Sequence, residues 1–190
     1  MEDLDEVDIP FPLVVKPAAG GSSVGTSILE TGDDSSLRAA VAKALLDGSG
    51  ALIEEFIAGV EVSCAVLGEG EKAKALPVIE IVPEKGGGFY DYEAKYSSGG
   101  SSHLIPPRLP EEVQRDIQLL ALKAHRALGA RGVTRSDFII TPEGKAVYLE
   151  TNTTPGMTET SLVPDAARAV GIEFPQLIEK LLEMALPRGL

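Results

Sequence analysis

The sequence predicts an α+β fold in which most strands pair antiparallel. Short apolar runs bounded by glycine, proline and serine follow one another without a helix between each pair, which argues against an alternating β–α order. A hairpin pattern at residues 133–141 and 145–152, around Pro142-Glu143-Gly144, adds an antiparallel pair. With 190 residues, of which 44% are hydrophobic, the chain is long enough to bury a core.

Composition and charge exclude several classes of protein. The formal net charge of −12 argues against a nucleic-acid partner, because a phosphate backbone requires a face rich in lysine and arginine. No apolar run is long enough to cross a bilayer, so we expect a soluble protein with no membrane partner. The single cysteine, Cys64, lies in an apolar run, which predicts a position in the core. With one cysteine no intramolecular disulfide can form, so we expect a reducing, cytoplasmic location.

The first half of the chain predicts five strands and one helix. Residues 1–10 form an acidic leader without periodicity. Strands are expected at 13–16, around 27–30, and at 51–56, 61–67 and 75–82. Asp34 or Ser35 caps the helix. Its apolar face is Leu37, Val41, Ala44 and Leu45.

The second half begins with a long segment, 83–107, rich in glycine, serine and proline. It is too long for an ordinary connection, so it is either a functional loop or disordered. Pro110 then opens a long helix that Gly129 ends. Its expected core stripe is Val113, Ile117, Leu120, Ala124 and Leu128. After the hairpin, two short helices are expected near 162–170 and 174–186.

A glycine-rich segment follows the first strand. Lys16 leads through Pro17-Ala18-Ala19 into Gly20-Gly21-Ser22-Ser23-Val24-Gly25. Small residues between two strands let backbone N–H groups converge on an anion, and the lysine adds a positive charge. The segment lacks the Gly-Lys-Ser/Thr ending of a Walker loop. The pattern leaves a phosphate-binding loop and a flexible hairpin loop as alternatives.

Acidic residues mark the end of the strand at 51–56. Glu54 and Glu55 lie near its end, and Glu61 opens the next strand. Such a strand end can offer backbone groups to a purine and a carboxylate to ribose hydroxyls. Taken alone, a solvated strand end is the simpler interpretation.

The hairpin carries the strongest chemical pattern. Side chains at i and i+2 share a face, so Glu150 and Asn152 stand together, and a four-residue turn from Pro142 to Lys145 puts Asp137 opposite Glu150. Hard oxygen ligands on rigid strands suit Mg²⁺. Both carboxylates lie among apolar residues in the sequence and therefore need a partner or a metal. These features favour a metal site over a surface hairpin with incidental acids.

The loop at 152–164 is rich in glycine and hydroxyl side chains and runs into a helix start. It can hold a small polar substrate or a developing oxyanion, or it is a helix-capping loop. His103 and His125 have no metal-ligand or triad spacing. Ser22 and Ser23 have no evident base partner, which argues against a serine hydrolase.

In this order the four motifs resemble the D-alanine–D-alanine ligase family, a branch of the ATP-grasp enzymes. The resemblance covers residues 11–186. Two motifs are particular to this branch: Phe-Tyr-Asp-Tyr-Glu-Ala-Lys-Tyr at 89–96, and the loop Asn152-Thr…Pro-Gly-Met-Thr…Ser-Leu-Val-Pro. It implies an ATP-grasp fold with two α+β subdomains, mostly antiparallel, holding ATP between them. We expect the acidic leader at 1–10, part of the small nucleotide-binding subdomain at 11–67, and the large C-terminal subdomain with metal and substrate loops at 68–190.

The resemblance also implies residues that bind ATP and Mg²⁺. The ATP phosphates would be held by Lys16 and the backbone of Ser22, Ser23 and Val24. Glu54, Glu55 and Ile57 would face the adenine, and Glu61 the ribose. Two Mg²⁺ ions, replaceable by Mn²⁺, would be bound by Asp137, Glu150 and Asn152. Lys95 and Asn152 would also contact ATP.

The catalytic and substrate residues implied by the resemblance follow the same motifs. The catalytic set is Arg135, Gly156, Ser22, Lys95 and Tyr96. Arg135 and the Gly156 N–H would stabilise the tetrahedral intermediate, and Ser161 and Leu162 would contact the second D-alanine. Lys95 and Tyr96 would lie on a mobile loop that closes over the site and excludes water from a reactive acyl phosphate.

The chain departs from the family pattern in two respects. The family begins with an additional domain that supplies a glutamate for the first D-alanine, followed by a segment with another ATP-contacting lysine, and neither is in this chain. Gly20 also stands where the family usually has a charged residue. We therefore expect that the chain alone does not form the complete substrate site.

The predicted function is that of a truncated catalytic portion of an ATP-dependent carboxylate–amine ligase. An acyl phosphate would form from D-alanine and ATP and be attacked by a second D-alanine, in peptidoglycan precursor synthesis. The alternatives are an ATP-binding fragment without ligase activity of its own and a ligase for other substrates. D-alanine and ATP are the expected small-molecule partners, and a homodimer or a complementing N-terminal fragment is the expected protein partner.

Overall fold

The computed structural model describes residues 8–19, 23–83 and 101–186. They form an α+β fold with antiparallel sheets, which confirms the predicted class. The strands are β1 (Leu13–Pro17), β2 (Ser27–Leu29), β3 (Ala51–Glu55), β4 (Val60–Glu69), β5 (Lys74–Pro83), β6 (Ser101–Leu104), β7 (Arg131–Ile140) and β8 (Ala146–Asn152). The helices are α1 (Asp34–Ala44), α2 (Glu111–Ala127), α3 (Leu162–Arg168) and α4 (Phe174–Ala185).

The chain divides into two compact units. The described part of the first unit is residues 8–19 and 23–57 with Pro83 and Ser101, and that of the second is 58–82 and 102–186. The division therefore falls after Ile57, whereas the sequence had suggested a boundary after residue 67. The reason is that β4 pairs with β7 along its whole length, which ties it to the second unit.

The first unit contains a three-stranded sheet in the order β2-β1-β3, packed against α1. Its core consists of Leu13, Val15, Leu37, Ala40, Val41 and Ala44. Asp33, rather than Asp34 or Ser35, caps α1, because its side chain accepts a hydrogen bond from the Ser36 N–H at 2.9 Å. That backbone hydrogen bond lowers the pKa of Asp33, and the cap fixes where α1 begins.

The second unit contains a five-stranded sheet in the order β6-β5-β4-β7-β8. One face packs against α2 through a core that includes Val62, Val78, Ile117 and Phe138. The other face packs against α3 and α4 through residues that include Ala65, Ile79, Val163 and Leu177. Cys64 is fully buried, as predicted, and burial raises the pKa of its thiol to about 12. Strand β4, at the centre of this sheet, is thus fixed from both sides.

The buried stripe of α2 differs from the predicted one. Leu120 and Leu128 are exposed, whereas Ala121 and His125 are fully buried beside Ile117. The Thr134 Oγ1 of β7 lies 2.8 Å from the His125 Nδ1 and compensates one of the two buried ring nitrogens; among the described residues, the Nε2 has no hydrogen-bond partner. The small Ala121 and the hydrogen-bonded His125 therefore form the helix face that meets the sheet. Among the described helices, none is long and apolar enough to cross a membrane.

The buried His125 gives the stability of the protein a predictable pH dependence. Burial lowers the pKa of His125 in the folded state below its ordinary value of 6.5. As the pH falls below about 6.5, the unfolded chain takes up a proton that the folded chain does not, so the free energy of unfolding decreases until the pH passes the lowered folded-state pKa. Denaturant unfolding between pH 8 and pH 5 measures this slope. A His125→Gln variant is expected to lose it, and an unchanged slope in that variant contradicts the assignment.

Gly59 lies where two strands approach each other closely. A Cβ atom added there would be 2.2 Å from the Ile140 backbone oxygen and 2.7 Å from the Ile139 Cγ2. Gly59→Ala should therefore push β4 and β7 apart and lower the free energy of unfolding by about 2–3 kcal/mol. Urea denaturation tests this, with Gly171→Ala as the comparison: nothing lies within 4 Å of a Cβ at Gly171, but its φ of 78° strains an alanine, so this variant reports backbone strain without a clash. Equal stabilities of the two variants would contradict the expected clash.

Candidate functional site

The glycine-rich segment in the first unit ends in a tight turn. Gly20, Gly21 and Ser22 lie outside the described residues. Ser23 has a positive φ of 59°, and its carbonyl accepts a hydrogen bond from the Thr26 N–H at 3.2 Å. Val24 follows with 58% of its surface exposed. The two described residues predicted to bind phosphate through their backbone therefore lie in a compact, accessible turn.

Lys16 is paired with Glu54 on the sheet of the first unit. Val14 is the direct partner of Glu54 in the register, so Lys16 lies diagonally across from it, and the Lys16 Nζ is 2.5 Å from the Glu54 Oε2. Both side chains are partly exposed, at 29% and 45%. Two residues predicted to contact different parts of ATP thus neutralise each other.

The remaining predicted adenine residues follow at the end of β3. Glu55 is exposed and Ile57 is half-buried. The Phe56 N–H donates to the Pro12 carbonyl at 3.0 Å and so extends the pairing of β1 with β3. This contact leaves the strand end extended, with the Glu55 side chain open to solvent.

In the second unit the hairpin brings the predicted acidic residues into register. Asp137 is the partner of Glu150, and Arg135 is the partner of Asn152. The predicted pairing is correct, but the predicted turn is not. Thr141 and Lys145 are already hydrogen-bonded, so the turn has the three residues Pro142-Glu143-Gly144. Because the register shifts between Phe138–Tyr148 and Asp137–Glu150, Leu149 forms a bulge that restores the expected pair.

Asp137 is held by two neighbouring side chains. Its Oδ1 accepts from the Ser63 hydroxyl at 2.7 Å and from the Arg135 Nε at 2.9 Å, and its Oδ2 accepts from the Arg135 Nη2 at 2.7 Å. Asp137 is buried, with 8% of its surface exposed, and Ser63 is 1% exposed. A buried carboxylate requires such compensation, and here a bidentate guanidinium and a hydroxyl supply it.

Glu150 and Asn152, the other two predicted metal ligands, are less buried than Asp137. Glu150 is exposed, so the inference that apolar neighbours surround both carboxylates is correct for Asp137 and wrong for Glu150. The reason is that Leu149, on the bulge, points partly to solvent. The Asn152 Oδ1 accepts from the Thr154 N–H at 2.8 Å, which closes a local turn and leaves that oxygen one further lone pair.

The donor set of the hairpin fits a hard divalent cation. No group of three His, Cys, Asp or Glu side chains that could hold a metal occurs within the described ranges. The predicted set is instead two carboxylates and an amide oxygen, a combination that suits Mg²⁺ with water and phosphate oxygens as further ligands. In the structure the Arg135 guanidinium supplies the positive charge that compensates Asp137.

The loop after β8 is closed by its own hydroxyl groups. The Ser161 Oγ accepts from the Thr158 N–H at 3.0 Å and lies 2.8 Å from the Thr158 Oγ1. A Cβ on Gly156 would lie 3.0 Å from the same Ser161 oxygen, so a glycine keeps this turn compact. Leu162, a predicted substrate contact, packs in part against the core beneath α3. The loop is therefore pre-shaped, with the Gly156 backbone exposed.

Other predicted residues divide between the described and undescribed parts of the chain. Glu61 is the second residue of β4, two residues before Ser63, and lies on the same face of that strand. Ser22, Lys95 and Tyr96 lie outside the described residues. The sequence did not single out Ser63, although a hydroxyl within the apolar run 62–67 is a signal that a polar partner lies opposite.

The fold and the hairpin chemistry together define the class of the protein. Two α+β units with antiparallel sheets, one carrying a lysine and a glycine-rich turn and the other a strand pair with facing carboxylates, are features of the ATP-grasp fold. The family model described as D-ala D-ala ligase C-terminus matches residues 3–183. The chain belongs to the D-alanine–D-alanine ligase family.

Individual relatives agree with this assignment. The chain is 49% identical to the D-alanine–D-alanine ligase of Pelotomaculum thermopropionicum, in an alignment that covers 94% of this chain and 55% of that protein. It is 46% identical to the D-alanine–D-alanine ligase of Desulfotalea psychrophila, with 99% of this chain and 58% of that protein covered. It is similar in structure to the VanG D-Ala:D-Ser ligase of Enterococcus faecalis, with a TM-score of 0.80 and 35% sequence identity; the match covers 95% of this chain and 51% of that protein. The D-alanine–D-alanine ligase of Bacillus anthracis gives a TM-score of 0.77, 33% identity, and coverage of 97% and 58%. The chain thus spans little more than half the length of these relatives.

Proposed function

We propose that the chain supplies the ATP- and Mg²⁺-binding part of a ligase that joins two D-alanine molecules. The observation that carries this proposal is the pairing of Asp137 with Glu150 across the hairpin, with Arg135 on the Asp137 carboxylate. Family membership supports ATP as the nucleotide. We further propose a cytoplasmic location, in which ATP is available.

In the proposed reaction, a D-alanine carboxylate attacks the γ-phosphorus of ATP and forms an acyl phosphate with release of ADP. The amine of a second D-alanine then attacks the acyl carbon, and phosphate leaves. Lys16 and the N–H groups of the turn at Ser23 and Val24 would bind the phosphate oxygens, because an ammonium group and backbone N–H groups are donors that suit an anion. Lys16 would then exchange its contact with Glu54 for the phosphate. Bound Mg²⁺ would neutralise charge on the phosphates, held by Asp137, Glu150 and Asn152.

The remaining proposed roles concern the second step. Arg135 carries the positive charge nearest to Asp137, and its guanidinium can move to a developing oxyanion when another cation replaces it on that carboxylate. The exposed Gly156 N–H would be a second donor to the same oxyanion. Ser161 and Leu162, at the start of α3, would border the second D-alanine. Glu54, Glu55 and Ile57 are proposed for adenine and Glu61 for ribose.

The partial coverage of the relatives favours a second candidate, a chain that binds Mg·ATP but does not complete the reaction by itself. Two measurements separate the candidates. Isothermal titration calorimetry reports Mg·ATP binding, and a phosphate assay reports turnover with D-alanine. Release of phosphate that depends on D-alanine supports the ligase. Binding without such release supports a nucleotide-binding portion that needs an N-terminal fragment or a second copy, and no binding contradicts both.

The identity of the second amino acid is open to a direct comparison. The curated relatives are D-alanine–D-alanine ligases, whereas one structural relative is a D-Ala:D-Ser ligase. We propose D-alanine as the second substrate, since the identity to the former reaches 49% and to the latter 35%. A panel of D-alanine, D-serine and D-lactate as the second substrate, in the completed enzyme, tests this proposal.

A further inference from the structure

We propose that Ser63 is a positioning residue, which holds the Asp137 carboxylate so that one of its oxygens is presented to a divalent cation. This inference rests on the proposed function, because it assumes that Asp137 binds Mg²⁺. Ser63 itself is not expected to touch the cation or the substrates.

The placement of Ser63 allows it to act as a fixed support. It lies on β4, which pairs with β5 on one side and with β7 on the other, and it is the direct partner of Asp137 in the register. Its side chain is almost fully buried. A short buried side chain on a central strand has little freedom, so its hydroxyl defines where the Asp137 Oδ1 lies.

Arg135 differs from Ser63 in how firmly it can hold Asp137. It lies on the same strand two residues away and reaches both Asp137 oxygens through a long side chain. If Asp137 binds a cation, Arg135 would leave the carboxylate and serve the oxyanion. The Oδ1 of Asp137 would keep the hydrogen bond from Ser63, and the Oδ2 would be free to bind the cation.

The physical need for Ser63 arises at that point. The terminal torsion of an aspartate is broad, so a carboxylate without a second contact can rotate. Mg²⁺ requires near-ideal octahedral geometry and tolerates a rotating ligand poorly. Hydrogen bonds that orient metal ligands from outside the coordination sphere typically contribute 10- to 100-fold to metal affinity.

The test measures how strongly Mg²⁺ increases the affinity for a nucleotide. The dissociation constant of a fluorescent ATP analogue is determined for the full chain in EDTA and in saturating MgCl₂, and the ratio of the two constants is the Mg²⁺ enhancement. A general structural defect alters both constants, whereas a defect in metal positioning alters their ratio. Ser63→Ala is expected to lower the enhancement about 10-fold. Ser63→Cys, which keeps a side chain of similar size with a weak donor, is expected to lower it as well.

Two further variants serve as controls. Ser63→Thr retains the hydroxyl and is expected to stay within about twofold of the parent. Ser136→Ala removes a buried hydroxyl from the same sheet. This hydroxyl lies 2.6 Å from the Thr151 Oγ1, so its partner is Thr151 and not the Asp137 carboxylate, and the variant is also expected to stay within about twofold.

The outcomes distinguish the two proposals. If the parent shows no Mg²⁺ enhancement, the metal role of Asp137 is wrong, and the role of Ser63 falls with it. If the parent shows enhancement and folded Ser63→Ala and Ser63→Cys keep it or increase it, only the positioning role is overturned. An equal loss in Ser136→Ala also overturns it, because the effect would then belong to the sheet as a whole.

Discussion

Glu150→Ala should lower the Mg²⁺-dependent affinity for ATP by about 100-fold or more, because it removes a proposed ligand rather than a residue that orients one. Glu150 is exposed and is opposite the buried Asp137. Its removal should therefore change the free energy of unfolding by less than about 0.5 kcal/mol. Calorimetric titration with Mg·ATP measures the affinity, and thermal unfolding checks the fold.

A matched control for this variant lies in the same hairpin. Glu143→Ala removes an exposed carboxylate from the turn, at the other end of the strand pair, and so changes the net charge equally. We expect its affinity for Mg·ATP to equal that of the parent. If Glu150→Ala binds within a few-fold of the parent, the metal assignment of this hairpin is wrong.

Arg135→Met is expected to destabilise the protein in the absence of divalent cations by about 3–5 kcal/mol, since it leaves the buried Asp137 without its charged partner. The side chains of this pair are largely buried, at 17% and 11% exposed, and the contact is bidentate. Addition of MgCl₂ with ADP should recover much of this loss, because a bound cation then compensates Asp137. Urea denaturation with and without Mg·ADP measures both effects.

The control for Arg135 is another arginine of the second unit with a carboxylate partner. Arg168 lies 2.8 Å from the Asp165 Oδ1 and is 46% exposed, so Arg168→Met should cost less than about 1 kcal/mol. An Arg135→Met variant that is as stable as Arg168→Met, or one that Mg·ADP does not stabilise, would contradict the idea that Arg135 occupies a cation-requiring position.

The central pair of the candidate site could be predicted from the sequence, but partly through compensating errors. Counting residues across an assumed four-residue turn placed Asp137 opposite Glu150, and the structure has this pair. The turn is one residue shorter, and Leu149 forms a bulge that restores the register. A bulge depends on how the strand edge packs and has no marker in the local sequence, so the same count would fail in a hairpin without one.

The packing of α2 shows a second limit of sequence patterns. Hydrophobicity favoured Leu120 and Leu128, yet both are exposed, and the sheet receives Ala121 and His125 instead. Which helix face is buried depends on close contact with β7 and on the Thr134 hydroxyl that contacts the His125 Nδ1. Both features involve residues distant in the chain and cannot be read from a helical period alone.

The ion pairs of the candidate site could not be predicted from the sequence either. Lys16 with Glu54 and Arg135 with Asp137 join residues that were predicted to bind ligands separately. Side-chain pairing depends on rotamers and on which charges are left without a ligand, and neither is encoded in spacing. The roles of the individual site residues stay predictions until the binding measurements are made.

The bulge at Leu149 has a practical consequence for labelling the protein. The turn at Pro142-Glu143-Gly144 is exposed. The strand register that follows from this turn changes at the Leu149 bulge, before the pairs that contain Glu150 and Asn152. A short epitope inserted after Glu143 would lengthen a surface loop, while the residues beyond Leu149 would keep their partners on β7. This turn is therefore a suitable position for a reporter group that follows ligand binding without entering the site.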